Sequence, residues 1–136
     1  MTRNRTPLTA LAAVLLALGG IAPASAEPVT ALACNDGAVS RTYHYSAAAV
    51  EYGEFITTSR CNDINLKLTT NVPGVYLDAC VVFVAHTNLC NHDNTYSTFG
   101  PQWATVATDV KDGTRFKLRV HAYDTDAQLV NFKLSF

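Results

Sequence analysis

The segment VYLDACVVFVA, from Val75 to Ala85, decides how the rest of the chain is arranged. One face of this segment in an extended strand is entirely apolar: Val75, Leu77, Ala79, Val81, Phe83 and Ala85. The opposite face begins polar at Tyr76 and Asp78 and becomes apolar from Cys80 onward. This pattern predicts a central strand whose second face is partly covered by another segment. The segment is too short to span a bilayer, for which about 20 apolar residues are needed.

The first 26 residues have the features of a secretory signal peptide. Arg3 and Arg5 precede an apolar run, and Ala24-Ser25-Ala26 supplies a small-residue cleavage site. We therefore expect residues 27–136 to form one secreted, extracellular domain without a membrane anchor. The predicted signal holds two of the ten Lys and Arg residues and none of the eleven Asp and Glu residues, which leaves a formal charge of −3. An acidic domain argues against nucleic acid as a partner.

All four cysteines follow the predicted cleavage site. An even number of cysteines in a small exported domain indicates two disulfides and an oxidising environment. Three pairings are possible, and the sequence favours Cys34 with Cys61 and Cys80 with Cys90. The second bond would fold the following loop back over the second face of the central strand. Closing so short a loop stabilises the fold by about 3 kcal/mol.

A first hairpin is predicted around the turn Val72-Pro73-Gly74-Val75. Proline presets the second position of a type II turn, and glycine accepts the positive φ at the third. Residues 64–70 alternate apolar and polar side chains before this turn. Pairing Thr70 with Val75 then matches apolar side chains on one face: Ile64, Leu66 and Leu68 with Val81, Ala79 and Leu77.

A second hairpin is predicted near the end of the chain. Residues 103–110 and 114–123 flank a three-residue loop with Gly113 where a left-handed residue is needed. Matching the two segments pairs their apolar faces and places Trp103 beside His121 on the other face. The turn and the pattern therefore agree on the pairing.

These patterns together predict an all-β fold, an antiparallel β-sandwich or small barrel of about seven strands with two disulfides. Two further strands are expected within residues 39–47 and 49–58, and a last one within residues 130–136. One helical turn at residues 47–52 is the alternative there. Residues 27–33 are predicted to be an irregular arm, and no other helix is predicted.

The outward face of the second predicted hairpin is one candidate binding surface. It combines cationic and aromatic side chains: Arg115, Lys117, Arg119, Lys133, Trp103, His121 and Tyr123. In an acidic domain such a surface suits a carboxylate-rich or sulfated polymer, or an acidic protein. The competing interpretation is that exposed sheet faces are ordinarily charged and that Trp103 covers an edge of the core.

Residues 86–102, the longest stretch without strand character, form the other candidate surface. Its proposed binding residues surround Cys90: Leu89, Asn91, His92 and Asp93. A disulfide-anchored loop is preorganised, which lowers the entropic cost of binding and suits a substrate-like protease inhibitor. A loop that only packs on the sheet is the alternative.

No catalytic or metal-binding pattern is predicted. The cysteines are committed to disulfides, no G-x-S-x-G motif is present, and the two glutamates of the strand region fall on opposite faces. His86, His92 and Asp93 lack the spacing of a zinc site. Asp124 and Asp126 supply only two of the six to eight oxygen ligands that calcium takes. We therefore predict no metal and no cofactor, and favour a protein that is not an enzyme.

In layout the chain resembles the small, exported, two-disulfide β proteins of actinobacteria. The resemblance covers the arginine-led signal, the Ala-x-Ala site and the segments Cys61-Asn62-Asp63 and Asp112-Gly113-Thr114-Arg115-Phe116. The cysteine and loop patterns of the subtilisin and amylase inhibitors of those bacteria are absent, so no functional residues are transferred. We expect a binding protein for an extracellular protein or polysaccharide. The alternatives are a protease-inhibitor-like protein, a small extracellular hydrolase and a structural cell-surface or spore-associated protein.

Overall fold

The computed structural model describes residues 29–125 and 127–136, so the predicted signal peptide, residues 1–26, lies outside the described residues. Two short helices and eight strands follow one another within these ranges. They are α1 (Val29–Asp36), β1 (Val39–His44), β2 (Val50–Ile56), β3 (Ile64–Leu68), β4 (Leu77–Phe83), α2 (Asn91–Asn94), β5 (Ser97–Phe99), β6 (Ala104–Ala107), β7 (Arg115–His121) and β8 (Leu129–Ser135).

The strands form two antiparallel four-stranded sheets. Sheet A has the strand order β1-β8-β3-β6, and sheet B has the order β2-β7-β4-β5. Among strands that are consecutive in the described chain, only β4 and β5 belong to the same sheet, so nearly every connection crosses between sheets. This architecture confirms the all-β fold in its sandwich form, with eight strands rather than about seven.

The inward faces of the two sheets share one apolar core. Its largest fully buried side chains come from both sheets: Tyr43, Ile64, Leu66, Leu77, Val81, Phe99, Val106, Phe116, Leu118, Phe132 and Leu134. The apolar alternations predicted for β3 and β8 are confirmed by this burial. The predicted central strand is β4, which lies between β7 and β5 and is buried on both faces from Ala79 to Val82.

The first predicted hairpin is wrong, although its turn forms. The Val75 N–H donates to the Val72 carbonyl at 3.3 Å, and Gly74 has a φ of 79°. However, β3 pairs with β6 and β8 in sheet A, while β4 pairs with β5 and β7 in sheet B. The apolar side chains of β3 and β4 therefore meet across the core instead of lying side by side in one sheet.

The second predicted hairpin is wrong for the same reason. The Thr114 N–H donates to the Lys111 carbonyl at 3.3 Å, and Gly113 has a φ of 75°, so the turn is present. Beyond it, β6 pairs with β3, whereas β7 pairs with β2 and β4. Trp103 and His121 consequently lie with different sheets.

The irregular segments also differ from their predictions. The expected arm is helix α1, after which the Ala38 N–H donates to the Asn35 carbonyl at 3.1 Å at the start of β1. The expected long loop, residues 86–102, contains α2 and β5, and β5 pairs with β4. Elements this short leave little periodic signal in the sequence. No described helix has the length and apolar character needed to cross a membrane.

Candidate functional site

The disulfides have the pairing that the sequence favours. Cys34–Cys61 joins α1 to the segment before β3 with an S–S distance of 2.05 Å, and Cys80–Cys90 joins β4 to the following loop at 1.99 Å. Cys80, Val82 and Cys90 form a separate apolar cluster on the outer face of sheet B. The predicted covering of the second face of β4 is thus present. Two disulfides are typical of a protein that folds in an oxidising, extracellular environment.

The segment between β4 and β5, residues 84–96, is called the flap below. Several hydrogen bonds hold it in addition to its disulfide. The Arg119 guanidinium donates to the carbonyl oxygen and to Oδ1 of Asn88, both at 2.9 Å. Within the flap, the Cys90 N–H donates to Asn94 Oδ1 at 3.1 Å. The flap is therefore fixed to β4 by a covalent bond and to β7 by a two-point hydrogen bond.

Asn91 connects the flap to both sheets. Its Oδ1 accepts from the Val81 N–H on β4, and its Nδ2 donates to the Val106 carbonyl on β6, both at 2.9 Å. Strand β5 covers the edge of β4 only from Leu77 to Ala79, and β6 is itself an edge strand. The two ends of the Asn91 amide therefore replace missing strand partners. The sequence placed Asn91 among the binding residues, but its half-buried amide is occupied inside the protein.

The tip of the flap is α2, which is a compact left-handed turn and not a regular right-handed helix. His92 has φ 51° and ψ 57°, Asp93 has φ 55° and ψ 38°, and Asn94 has a φ of 64°. The turn closes with hydrogen bonds from the Thr95 N–H at 3.1 Å and the Thr95 hydroxyl at 2.6 Å, both to the His92 carbonyl. His, Asp and Asn are the residues other than glycine that adopt this conformation most readily.

The other predicted flap residues present their side chains to solvent. Leu89 is 59% exposed, and His92 and Asp93 are also exposed. Neither the imidazole nor the carboxylate makes a hydrogen bond to a side chain or backbone group in the part of the protein that the structure describes. The flap thus combines a fixed backbone with an apolar, an imidazole and a carboxylate side chain that are available to a partner.

The cationic residues of β7 lie beside the flap on the outer face of sheet B, and each contacts a glutamate of β2. Lys117 Nζ lies 2.8 Å from Glu51 Oε1, Arg119 Nε lies 3.2 Å from Glu51 Oε2, and Arg115 pairs with Glu54. The hydrogen bond from Lys117, with a further one from Arg119, lowers the pKa of Glu51. This surface is therefore an ion-pair network and differs from the open cationic surface that the sequence indicates. The prediction that the two glutamates lie on opposite faces is wrong, because the pairing of β2 with β7 is irregular near Glu54.

Two members of that predicted surface lie on sheet A. Lys133 belongs to β8, where it is in register with Lys67 of β3, and it is exposed. Trp103 precedes β6, and Lys67 Nζ lies over its ring, 6.0 Å from the centroid. His121 remains on β7 and packs edge-to-face against Tyr123 at 4.6 Å. The predicted group is divided because the second hairpin does not form.

An open cavity of about 360 Å³, lined mainly by polar residues, lies beside the Cys34–Cys61 disulfide. Its walls include Arg60, Asn62, Asp63 and Trp103. Sequence reasoning singled out only Trp103 as a candidate. A cavity between segments that are distant in the chain leaves no local pattern in the sequence.

The described ranges, 29–125 and 127–136, contain no group of three His, Cys, Asp or Glu side chains that could hold a metal ion. Comparison of the chain with protein-family models, with curated proteins and with solved structures gives no match. The function must therefore be inferred from the chemistry of the flap and the cavity.

Proposed function

We propose that this protein is secreted and acts outside the cell as a binding protein that presents the flap to a protein partner. The observation that carries the proposal is a contrast within the flap. Its backbone is fixed through Cys90, Asn91 and the Asn88–Arg119 contact, while Leu89 is 59% exposed and has no role in the core. Ordering an interface loop costs free energy on binding, and a loop that is already ordered avoids that cost.

The exposed side chains indicate the kind of partner. Leu89 offers an apolar anchor, and His92 and Asp93 offer a hydrogen-bonding imidazole and a carboxylate close to it in the chain. Protein interfaces concentrate binding energy in a few side chains that fill pockets inside a polar rim. We infer a partner with a small apolar pocket bordered by donors that suit a carboxylate.

A substrate-like protease inhibitor is the second candidate, and the shape of the flap tip disfavours it. A protease cleft holds its substrate as an extended strand, with main-chain hydrogen bonds of the β type. Cys90 is extended, with φ −61° and ψ 148°, but His92 and Asp93 are left-handed. The tip is better suited to a partner that accepts a compact turn.

The test begins with the purified protein immobilised and exposed to culture medium from the producing organism. Each captured protein is identified and purified, and its Kd is measured with three forms of the chain. Leu89→Ala is expected to raise the Kd at least about tenfold, because it removes the anchor. Leu129→Ala is the matched control, since it removes a leucine of similar exposure, 56% against 59%, from β8 on sheet A.

Equal affinity of the wild type and Leu89→Ala for every captured protein would overturn the proposal. The same conclusion follows if no protein binds at a Kd below about 1 mM. A captured protease that is inhibited through Leu89 would instead support the second candidate.

A further inference from the structure

We propose that the cavity beside the Cys34–Cys61 disulfide is a binding site for a neutral saccharide. The cavity is formed by residues of α1, of the segment before β3, of β3 itself, and of the start of β6. Sheet A carries β3 and β6, whereas the flap covers the outer face of sheet B. The saccharide site is thus independent of the flap.

The size and rigidity of the cavity suit a small ligand. Its volume of about 360 Å³ falls within the range of roughly 300–1,000 Å³ for small-molecule sites. Internal hydrogen bonds fix its walls: the Thr105 hydroxyl donates to Asn65 Oδ1 at 2.6 Å, and the Asp109 N–H donates to Asp63 Oδ1 at 3.1 Å. The disulfide joins two of the wall segments covalently. This part of the cavity wall is therefore fixed before a ligand binds.

The cavity is also lined by polar groups that the protein leaves available. Counting partners only among described residues, the indole N–H of Trp103, the guanidinium of Arg60, the amide of Asn62 and the hydroxyl of Ser59 make no hydrogen bond. Asp63 uses one carboxylate oxygen and keeps the other. A sugar hydroxyl both donates and accepts, so a saccharide can satisfy this mixture of donors and acceptors.

Trp103 gives the cavity its aromatic wall. The indole is half-buried, and Lys67, which is not part of the cavity wall, lies over the ring at 6.0 Å. The face of an aromatic ring carries partial negative charge, whereas the C–H groups on the flat side of a pyranose carry partial positive charge. Stacking of a sugar ring on Trp103 would bury apolar surface while its hydroxyls remain at the polar wall.

The charge of the cavity wall indicates a neutral ligand. Arg60 and Asp63 are the only charged side chains among the described residues that line it, and their formal charges cancel. The Arg60 side chain passes close to Gly37, which has no side chain of its own. A Cβ atom at Gly37 would come within 1.5 Å of Arg60 Nη1. A sulfated or uronic sugar would add negative charge near Asp63, and the wall supplies no second cation to balance it.

The experiment uses the fact that Trp103 is the sole tryptophan of the sequence, so the tryptophan emission of the whole protein reports on this cavity. The purified protein is titrated with oligosaccharides of chitin, cellulose, starch and xylan, and with a sulfated glycan for comparison. At least one neutral oligosaccharide is expected to change the emission saturably, with a Kd below about 1 mM. Its binding should also shift the NMR signal of the Trp103 indole N–H.

Two asparagine variants make the test specific. Asn62→Ala removes a side chain that makes no hydrogen bond to a described residue, and it should raise the Kd about tenfold, as expected for the loss of direct hydrogen bonds to the ligand. Asn71→Ala, at an exposed position that does not line the cavity, should leave the Kd unchanged. Leu89→Ala should also leave it unchanged, which separates this site from the proposed function of the flap.

Three results would overturn the saccharide site. The first is that no neutral oligosaccharide changes either the emission or the indole N–H signal. The second is that Asn62→Ala and Asn71→Ala bind the same oligosaccharide equally well. The third is that only the sulfated glycan binds.

Discussion

The side-chain amide of Asn91 donates to the carbonyl oxygen of Val106 at 2.9 Å. This hydrogen bond ties the flap to β6, an edge strand of sheet A. The other end of the same amide accepts from the backbone of β4 at 2.9 Å. One side chain thus links β4 of sheet B, β6 of sheet A and the flap. A buried backbone group without a partner is costly, so this link matters for stability as well as for the position of the flap.

We predict that Asn91→Ala lowers the free energy of unfolding by about 1–3 kcal/mol, because it leaves the Val81 N–H and the Val106 carbonyl without their partners. Asn91→Asp should lower the free energy of unfolding at least as much, since its carboxylate still accepts from Val81 but places an acceptor oxygen against the Val106 carbonyl. Chemical denaturation measures both effects. Asn71→Ala, at an exposed position, should change little, and an equal loss in Asn71→Ala and Asn91→Ala would contradict this role.

The ion pairs of Glu51 predict a decrease in stability at acidic pH. The hydrogen bond from Lys117, assisted by Arg119, lowers the pKa of Glu51 below that of an unfolded chain, where it is about 4.3. The corresponding stability is present above that pH and is lost as the pH falls through the lower, folded-state value, because protonation removes the charge. The gain is small and decreases with added salt, since the carboxylate is partly exposed.

Carboxyl NMR titration of Glu51 tests this directly, with Lys117→Met expected to move its pKa upward. Lys111→Met is the control, because Lys111 is an exposed lysine of the loop between β6 and β7 that forms no ion pair with a described residue. The same upward movement in both variants would show that net charge, and not the Lys117–Glu51 contact, sets the pKa.

The burial of Tyr52 predicts a loss of folding stability at alkaline pH. Burial raises the pKa of its phenol to about 12, and its hydroxyl donates to the Thr42 carbonyl at 3.0 Å. Because an unfolded tyrosine ionises near pH 10, the stability from this group is complete below about pH 10 and is lost as the pH rises to about 12. Tyrosinate absorbance should show a step near pH 12 from Tyr52. Tyr52→Phe should remove that step, and its persistence in the variant would refute the assignment.

The burial pattern could be predicted from the sequence, but most of the strand pairing could not. The alternation of apolar and polar side chains in β3 places Ile64 and Leu66 in the core. This holds whether β4 pairs with β3 in one sheet or faces it from the other sheet. A type II turn at Gly74 reverses the chain in both cases. Whether the chain after the turn forms a hairpin or crosses to the other sheet depends on non-local pairing, here of β3 with β8. The Cys80–Cys90 bond was predictable because it is local and because the second face of β4 needed a cover.

The candidate sites also combine local features, which the sequence predicts, with non-local contacts, which it does not. The exposure of Leu89 beside an anchored cysteine follows from the local sequence. The partner of Arg119 does not, because Glu51 is brought to it by the pairing of β2 with β7. Likewise, Trp103 and Asn62 meet only because β6 pairs with β3. Sites made by segments distant in the chain required the structure.

The left-handed tip of the flap gives the last prediction. Asp93 has a φ of 55°, a conformation that costs an L-residue roughly 1 kcal/mol and that glycine adopts freely. Asp93→Gly is therefore expected to keep or raise the free energy of unfolding, whereas Asp93→Val should lower it, because a β-branched side chain is disfavoured there.

Asp112→Gly is the matched control. It makes the same change at an exposed residue outside the left-handed region, and the added freedom of the unfolded chain should lower stability by about 0.5–1 kcal/mol. Thermal denaturation of the three variants distinguishes the outcomes, and a decrease in Asp93→Gly as large as that in Asp112→Gly would show that the tip is not left-handed at Asp93.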